Sequence, residues 1–220
     1  MSKETTDTPK DLKRYEDLTR MNHWAIVFLF FGAGLSGLAF FHPSLFFLTD
    51  LFGGGPWTRI LHPYMGVLMA LAFVGMYVEL WRDNLLVKVD VEWLKKMGEM
   101  FAGRKENMPE VGKYNARQKI VFWLMTASLL TLILTGILFW HTWFPHFPIL
   151  ARRIGVLIHA FSATVLILTV ITHIYAAIWV KGTTRAMTEG SVSRGWAKAN
   201  HPLWYKEKIA EENSTKTNPT

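Results

Sequence analysis

Four blocks of this chain are apolar for long enough to cross a lipid bilayer, and no other feature constrains the fold as much. A spanning helix needs about 20 mostly apolar residues, and inside lipid a backbone satisfies its own polar groups only as a helix or a closed barrel. The blocks run over residues 21–41, 58–81, 118–140 and 149–180. Breakers separate them: the first stops before Pro43, Phe52-Gly53-Gly54-Gly55-Pro56 precedes the second, and Pro145 and Pro148 precede the fourth. The fourth is long enough to tilt or to project from the membrane. Half of the 220 residues are hydrophobic, yet the mean hydropathy is only slightly positive. Apolar residues are therefore gathered into blocks rather than spread at helical or strand period, as a soluble domain would have them. The predicted fold class is all-α integral membrane, a bundle of four transmembrane helices.

The basic residues orient the bundle. Five Lys/Arg precede residue 21, nine lie in residues 82–119 and seven follow residue 180, which makes 21 of 24; only Arg59, Arg152 and Arg153 lie near the other side. By the positive-inside rule both termini face the cytoplasm, and the net charge of +7 belongs to a membrane protein rather than to a nucleic-acid binder. The expected organisation is a cytoplasmic segment 1–20, a membrane domain 21–181 with a cytoplasmic loop 82–117, and a tail 182–220 whose last ten polar residues are disordered. Charges mixed through the first twenty residues, and the length of the run that follows, argue against a cleaved signal peptide. In the loop, Trp93, Leu94, Met97, Met100 and Phe101 recur at roughly helical spacing, as in an amphipathic surface helix or an ordinary packed loop helix. No internal repeat is evident.

There is no cysteine. Disulfides, thiolate-bound iron–sulfur clusters and covalent c-type haem are excluded. Any haem is held non-covalently, and any iron–sulfur cluster belongs to a partner chain.

Histidine inside a span is expensive and tends to be functional. His23 lies just inside the first span, His62 just inside the second, and the fourth carries both His159 and His173. The fourteen residues between the last two are about 21 Å of rise and just under four turns, so both project from nearly one face. With alternating span directions, His62 matches His159 in depth on the outer side, and His23 matches His173 on the inner side. Each pair takes one residue from span four and one from another helix. Two haems stacked across a membrane need that arrangement: two neutral imidazoles on each iron, at two depths. Gly37, fourteen residues after His23, and Gly34 fall near the same face at the outer depth. Gly66 lies one turn after His62 and Gly155 one turn before His159. All four could give a macrocycle room, though close helix packing selects glycine equally well. His42, His141, His146 and His201 suit surface or interface roles. A zinc site does not suit intramembrane histidines split between two depths without an acidic companion.

Several segments carry a resemblance to a known family: Asn22-His23-Trp24, Arg59-Ile60-Leu61-His62-Pro63, Val111-Gly112-Lys113-Tyr114-Asn115 and Leu157-Ile158-His159-Ala160. The most distinctive run from His173-Ile174-Tyr175-Ala176-Ala177 through Trp179-Val180-Lys181-Gly182 and Trp196-Ala197-Lys198 to His201-Pro202 and Trp204-Tyr205. From about residue 15 to 208 the chain resembles the gamma (cytochrome b) subunit of respiratory, membrane-bound formate dehydrogenases of the N/O type. The resemblance implies two haems b, the outer on His62 and His159 and the inner on His23 and His173. It also implies a bacterial inner-membrane complex of anaerobic respiration, with an iron–sulfur beta subunit and a molybdenum- or tungsten-dependent alpha subunit. The chain itself is then not catalytic alone; it passes electrons inward to menaquinone or ubiquinone and contributes to the proton-motive force. For the quinone the resemblance points to Asn115, Arg117 and Gln118 with His173 alongside. Arg117 departs from the small residue expected there, and the alternative for Asn115 is that it only caps the third helix. Arg152 and Arg153 are candidate partners for haem propionates, or interface anchors. Higher assembly of the complex stays open. So do two other readings: the cytochrome b subunit of a membrane-bound nickel–iron hydrogenase, and a haem-free anchor or proton-relay transporter bundle.

Overall fold

The computed structural model describes residues 11–102, 104–140, 143 and 145–217. The first ten residues, His141 and the last three residues lie outside the described residues. In chain order the elements are strand β1 (Leu12–Lys13), helix α1 (Asp17–Phe41), a 3-10 helix (Pro43–Phe52), α2 (Gly55–Leu80), α3 (Lys88–Lys95), α4 (Met97–Phe101), a second 3-10 turn (Lys105–Asn107), α5 (Ala116–Phe139), α6 (Ile149–Trp179), α7 (Arg185–Thr188), β2 (Ser191–Val192), α8 (Arg194–Asn200) and α9 (Pro202–Thr217). Among the described residues the fold is all-α apart from a two-residue antiparallel ladder between β1 and β2.

α1, α2, α5 and α6 are long and apolar enough to cross a membrane, and they coincide with the four apolar blocks to within a few residues. Only 11% to 22% of each helix's most apolar window is buried within the protein. Their apolar surface therefore faces outward, as in helices whose solvent is lipid. Local chemistry sets the ends. His42 caps the first 3-10 helix by accepting from the Ser44 N–H. Gly53 and Gly54, at φ of 86° and 94°, make the reversal into α2 that L side chains resist. Asn115 and Gln118 open α5 as a reciprocal capping pair: the Asn115 N–H donates to Gln118 Oε1 at 2.9 Å and the Gln118 N–H to Asn115 Oδ1 at 3.1 Å.

The chain divides into two compact units. One holds residues 21–81 and 120–176. Its core is Met69, Leu129 and Leu166, against which Ile26, Phe30 and Ala33 of α1, Phe73 of α2, Met125 of α5 and Val170 of α6 pack. Asn22 ties α1 to α2 by donating to the Ala72 carbonyl at 2.8 Å.

The other unit gathers, among the described residues, 11–20, 82–119 and 177–217. The amino-terminal segment, the loop and the tail, which sequence separates, thus share one core. Arg14 is central and 7% exposed. Its guanidinium lies 4.8 to 5.8 Å from the ring centres of Trp204, Trp196, Tyr114 and Tyr15, within cation–π range of all four, and donates to the Lys113 carbonyl. Trp93 is buried with Val111 and Ala116, and Leu94 and Met100 pack against them, while Met97 is exposed; a break at Lys96 divides the segment into α3 and α4. The tail, expected to end in disorder, is helical through Thr217.

His201 corrects a sequence expectation: it is not a surface residue but 1% exposed. Its ring packs on Trp196 at 5.1 Å and its Nδ1 bonds the Gly112 carbonyl at 2.9 Å. Burial, reinforced by the Arg14 charge and only partly offset by that hydrogen bond, lowers its pKa to about 3. Between pH 6.5 and 3 the unfolded chain therefore binds a proton that the folded unit refuses, and stability falls as the pH falls. Hydrogen-exchange protection of residues 194–205 is expected to be roughly 2 kcal/mol lower at pH 5 than at pH 7. A His201→Gln variant should lose that dependence, and equal protection at both pH values would show that His201 is not held neutral.

Candidate haem sites between paired histidines

His62 on α2 and His159 on α6 face each other with ring centres 6.3 Å apart. His23 on α1 and His173 on α6 do the same at 6.5 Å. These are the pairs that depth and face predicted from sequence. The apolar cluster around Met69, Leu129 and Leu166 draws on residues that lie between the two pairs along α1 and α6.

Two imidazoles are too few to close a structural site around a bare metal ion, which takes four ligands, whereas haem iron brings its equatorial nitrogens with it. The spacing fits such an iron. Metal–imidazole bonds of about 2 Å on opposite sides place the ring centres roughly 6.3 Å apart. Room for a macrocycle is present too. A Cβ built on Gly34 or on Gly66 would meet nothing within 4 Å. The Nδ1 of His23 is buried without a hydrogen-bond partner among the described residues.

Two of the singled-out glycines do something else. A Cβ on Gly37 would come 3.2 Å from Cε1 of His62, so this glycine makes space for the His62 ring itself. A Cβ on Gly155 would lie 2.8 Å from Leu138 and 3.3 Å from Phe139, so here the space is filled by α5 side chains. Arg152 donates to the Pro145 carbonyl at 2.9 Å, and Arg153 is exposed. Asn115 and Gln118 spend their carbonyl oxygens on the α5 cap, leaving their NH2 groups outside those bonds. Arg117 is half-buried one residue into α5. These three belong to one compact unit and His173 to the other.

Sequence reading missed the residues that hold the His62 and His159 rings. Ser36 Oγ lies 2.9 Å from His62 Nδ1, and Thr135 Oγ1 lies 2.8 Å from His159 Nδ1. Phe40 meets the His62 ring edge-on at 6.4 Å and Phe139 meets His159 edge-on at 5.5 Å. The two cradles share one local pattern, Leu-Ser-Gly-Leu-Ala-Phe at residues 35–40 and Leu-Thr-Gly-Ile-Leu-Phe at residues 134–139. Ser36-Gly37 and Thr135-Gly136 are the only Ser/Thr–Gly steps in the chain.

Comparison with known proteins agrees with this chemistry. A family model described as prokaryotic cytochrome b561 matches residues 14–190. The nitrate-inducible formate dehydrogenase cytochrome b556(Fdn) subunit of Escherichia coli K12 is 40% identical over 199 residues, covering 90% of this chain and 92% of the relative. The formate dehydrogenase cytochrome b556 subunit of Haemophilus influenzae is 38% identical over 210 residues, 95% of this chain and 88% of the relative. The cytochrome b556(fdo) subunit of E. coli K12 is 40% identical over 195 residues, 88% and 92%.

Proposed function

This chain belongs to the prokaryotic cytochrome b561 family, and from that premise we propose that it is the cytochrome b subunit of a respiratory formate dehydrogenase, a multi-pass membrane protein carrying electrons from a partner subunit to quinone through two haems b. The observation that carries the reading is the pair of opposed imidazole couples, 6.3 and 6.5 Å between ring centres, on four membrane-length helices. Relatives named as formate dehydrogenase subunits align over about nine-tenths of the chain, which favours formate over hydrogen as the electron source.

His62 and His159 hold the outer haem, and His23 and His173 hold the inner one. Haem b, when bound, supplies a reversible one-electron centre at each couple. The four helices fix the separation of the couples, and the apolar layer between them keeps out water and lowers the dielectric. Electrons arrive at the His62–His159 site from an iron–sulfur subunit that is itself reduced by a molybdenum- or tungsten-dependent subunit. They leave near His173 for a quinone on the cytoplasmic side. The 21 basic residues of the loop and termini support that orientation, in the bacterial inner membrane. Negative charge moves inward while quinone reduction draws protons from the cytoplasm, so turnover contributes to the proton-motive force.

Asn115 and Gln118 offer amide donors to a quinone carbonyl at the start of α5, and Arg117 adds a fixed positive charge beside them. Arg152 and Arg153 stand as propionate partners.

Two measurements test the reading. Pyridine haemochrome analysis of the purified complex is expected to find two haems b per chain, and formate, not hydrogen, should reduce them. Fewer than two haems would sink the di-haem assignment, and reduction by hydrogen alone would make the partner a hydrogenase.

A further inference from the structure

The roles of the Ser36 and Thr135 hydroxyls follow from proton counting. Ser36 Oγ carries one proton and lies 2.7 Å from the Gly32 carbonyl and 3.0 Å from the Ala33 carbonyl. Thr135 Oγ1 lies 2.7 Å from the Thr131 carbonyl and 3.3 Å from that of Leu132. Carbonyl oxygens only accept, so each hydroxyl spends its proton on its own helix backbone and has only lone pairs left for the histidine. The ring nitrogen at 2.9 Å from Ser36 and at 2.8 Å from Thr135 is therefore the donor. The opposite arrangement would leave a hydroxyl oxygen 2.7 Å from a carbonyl oxygen with no proton between them. Ser36 is fully buried and Thr135 is 7% exposed, so water does not readily substitute for either.

We propose that Ser36 and Thr135 are positioning residues for the His62–His159 haem site: each accepts the Nδ1–H of its histidine, fixing the tautomer that presents Nε2 to iron and raising the electron donation of both axial ligands. This rests on the reading of His62 and His159 as haem ligands. A histidine that donates its second ring proton is a more basic ligand, and a more basic ligand stabilises ferric over ferrous iron, which lowers the site's reduction potential. The duplicated Ser/Thr–Gly–x–x–Phe pattern is the local device: the hydroxyl accepts, the glycine lies against Cε1 of the ring (a Cβ would come 3.2 Å from it at Gly37 and 3.7 Å at Gly136), and the phenylalanine four residues on packs against the same imidazole. The other couple lacks the device at His23, whose Nδ1 has no hydrogen-bond partner.

The test is a spectroelectrochemical titration of the purified formate dehydrogenase complex carrying Thr135→Val, which keeps the side chain's shape and removes the hydroxyl, beside Thr135→Ser, which keeps the hydroxyl. Thr135→Val is expected to move one of the two midpoint potentials upward and leave the other in place, while Thr135→Ser stays at wild type. If Thr135→Val instead loses one haem, Thr135→Ser should retain both. Two haems with unmoved potentials in Thr135→Val would overturn the proposal, as would a Thr135→Ser variant that behaves like the valine variant. Failure of the underlying haem reading is distinguishable, because the wild-type complex would then hold fewer than two haems b.

Discussion

Replacement of His62 by alanine is expected to lower the haem b content from two per chain to one and to stop formate from reducing the haem that remains. With its ring gone, the partner at 6.3 Å has no opposite imidazole, and an iron there would keep one axial ligand from the protein. The His23–His173 couple shares no ligand with that site, and its helices are held by contacts that do not involve His62, including Asn22 to the Ala72 carbonyl and the Met69–Leu129–Leu166 core. The remaining haem should therefore assemble and respond to dithionite, while formate, acting through the partner subunits, no longer reaches it. Haemochrome analysis and difference spectra with each reductant read both effects. Retention of two formate-reducible haems in this variant would mean that the pairing is wrong.

Lys119→Met should destabilise the unit that contains the loop and the tail by about 3–5 kcal/mol, the range for removing one partner of a buried ion pair. Lys119 and Asp90 have side-chain exposures of 8% and 3% and meet at 2.8 Å. Both ends have a further partner, Lys119 Nζ donating also to the Leu85 carbonyl and Asp90 accepting from the Val87 N–H. The pair thus pins residues 85–90 to the first turn of α5. Removing the lysine leaves a carboxylate buried without its countercharge, whereas combining Lys119→Met with Asp90→Asn removes both charges and keeps an acceptor for Val87. The double variant should lie closer to wild type than Lys119→Met alone. Unfolding followed by fluorescence of buried Trp93, in the same core as Ala116, measures both; a double variant no more stable than the single one would show that the pair does not couple.

Most of the membrane architecture is legible along the chain because its cause is local. Bilayer thickness translates into a count of apolar residues, and Pro43, Gly53-Gly54 and Pro148 stop or start helices by their own backbone chemistry. The fourteen-residue interval between His159 and His173 places them on one face of a single helix, whatever surrounds that helix. Even the partners at matching depth follow from span direction alone. Where the sequence leaves a residue's surroundings open, the decisive contact crosses between elements. Gly37 and Gly155 look alike as small residues near the histidines, yet one faces the His62 ring and the other faces Leu138 and Phe139. His201 looks like a tail residue until its ring donates to the Gly112 carbonyl, 89 positions away.

The four intramembrane histidines and the helices that carry them were thus determined by sequence alone, since hydropathy and the 3.6-residue repeat act within each helix. How each imidazole is held was decided only by the tertiary structure. Ser36 reaches His62 across 26 positions and Thr135 reaches His159 across 24, and both contacts depend on the rotation of one helix against its neighbour. That rotation is set by side-chain packing among four helices at once, a property that no single segment contains.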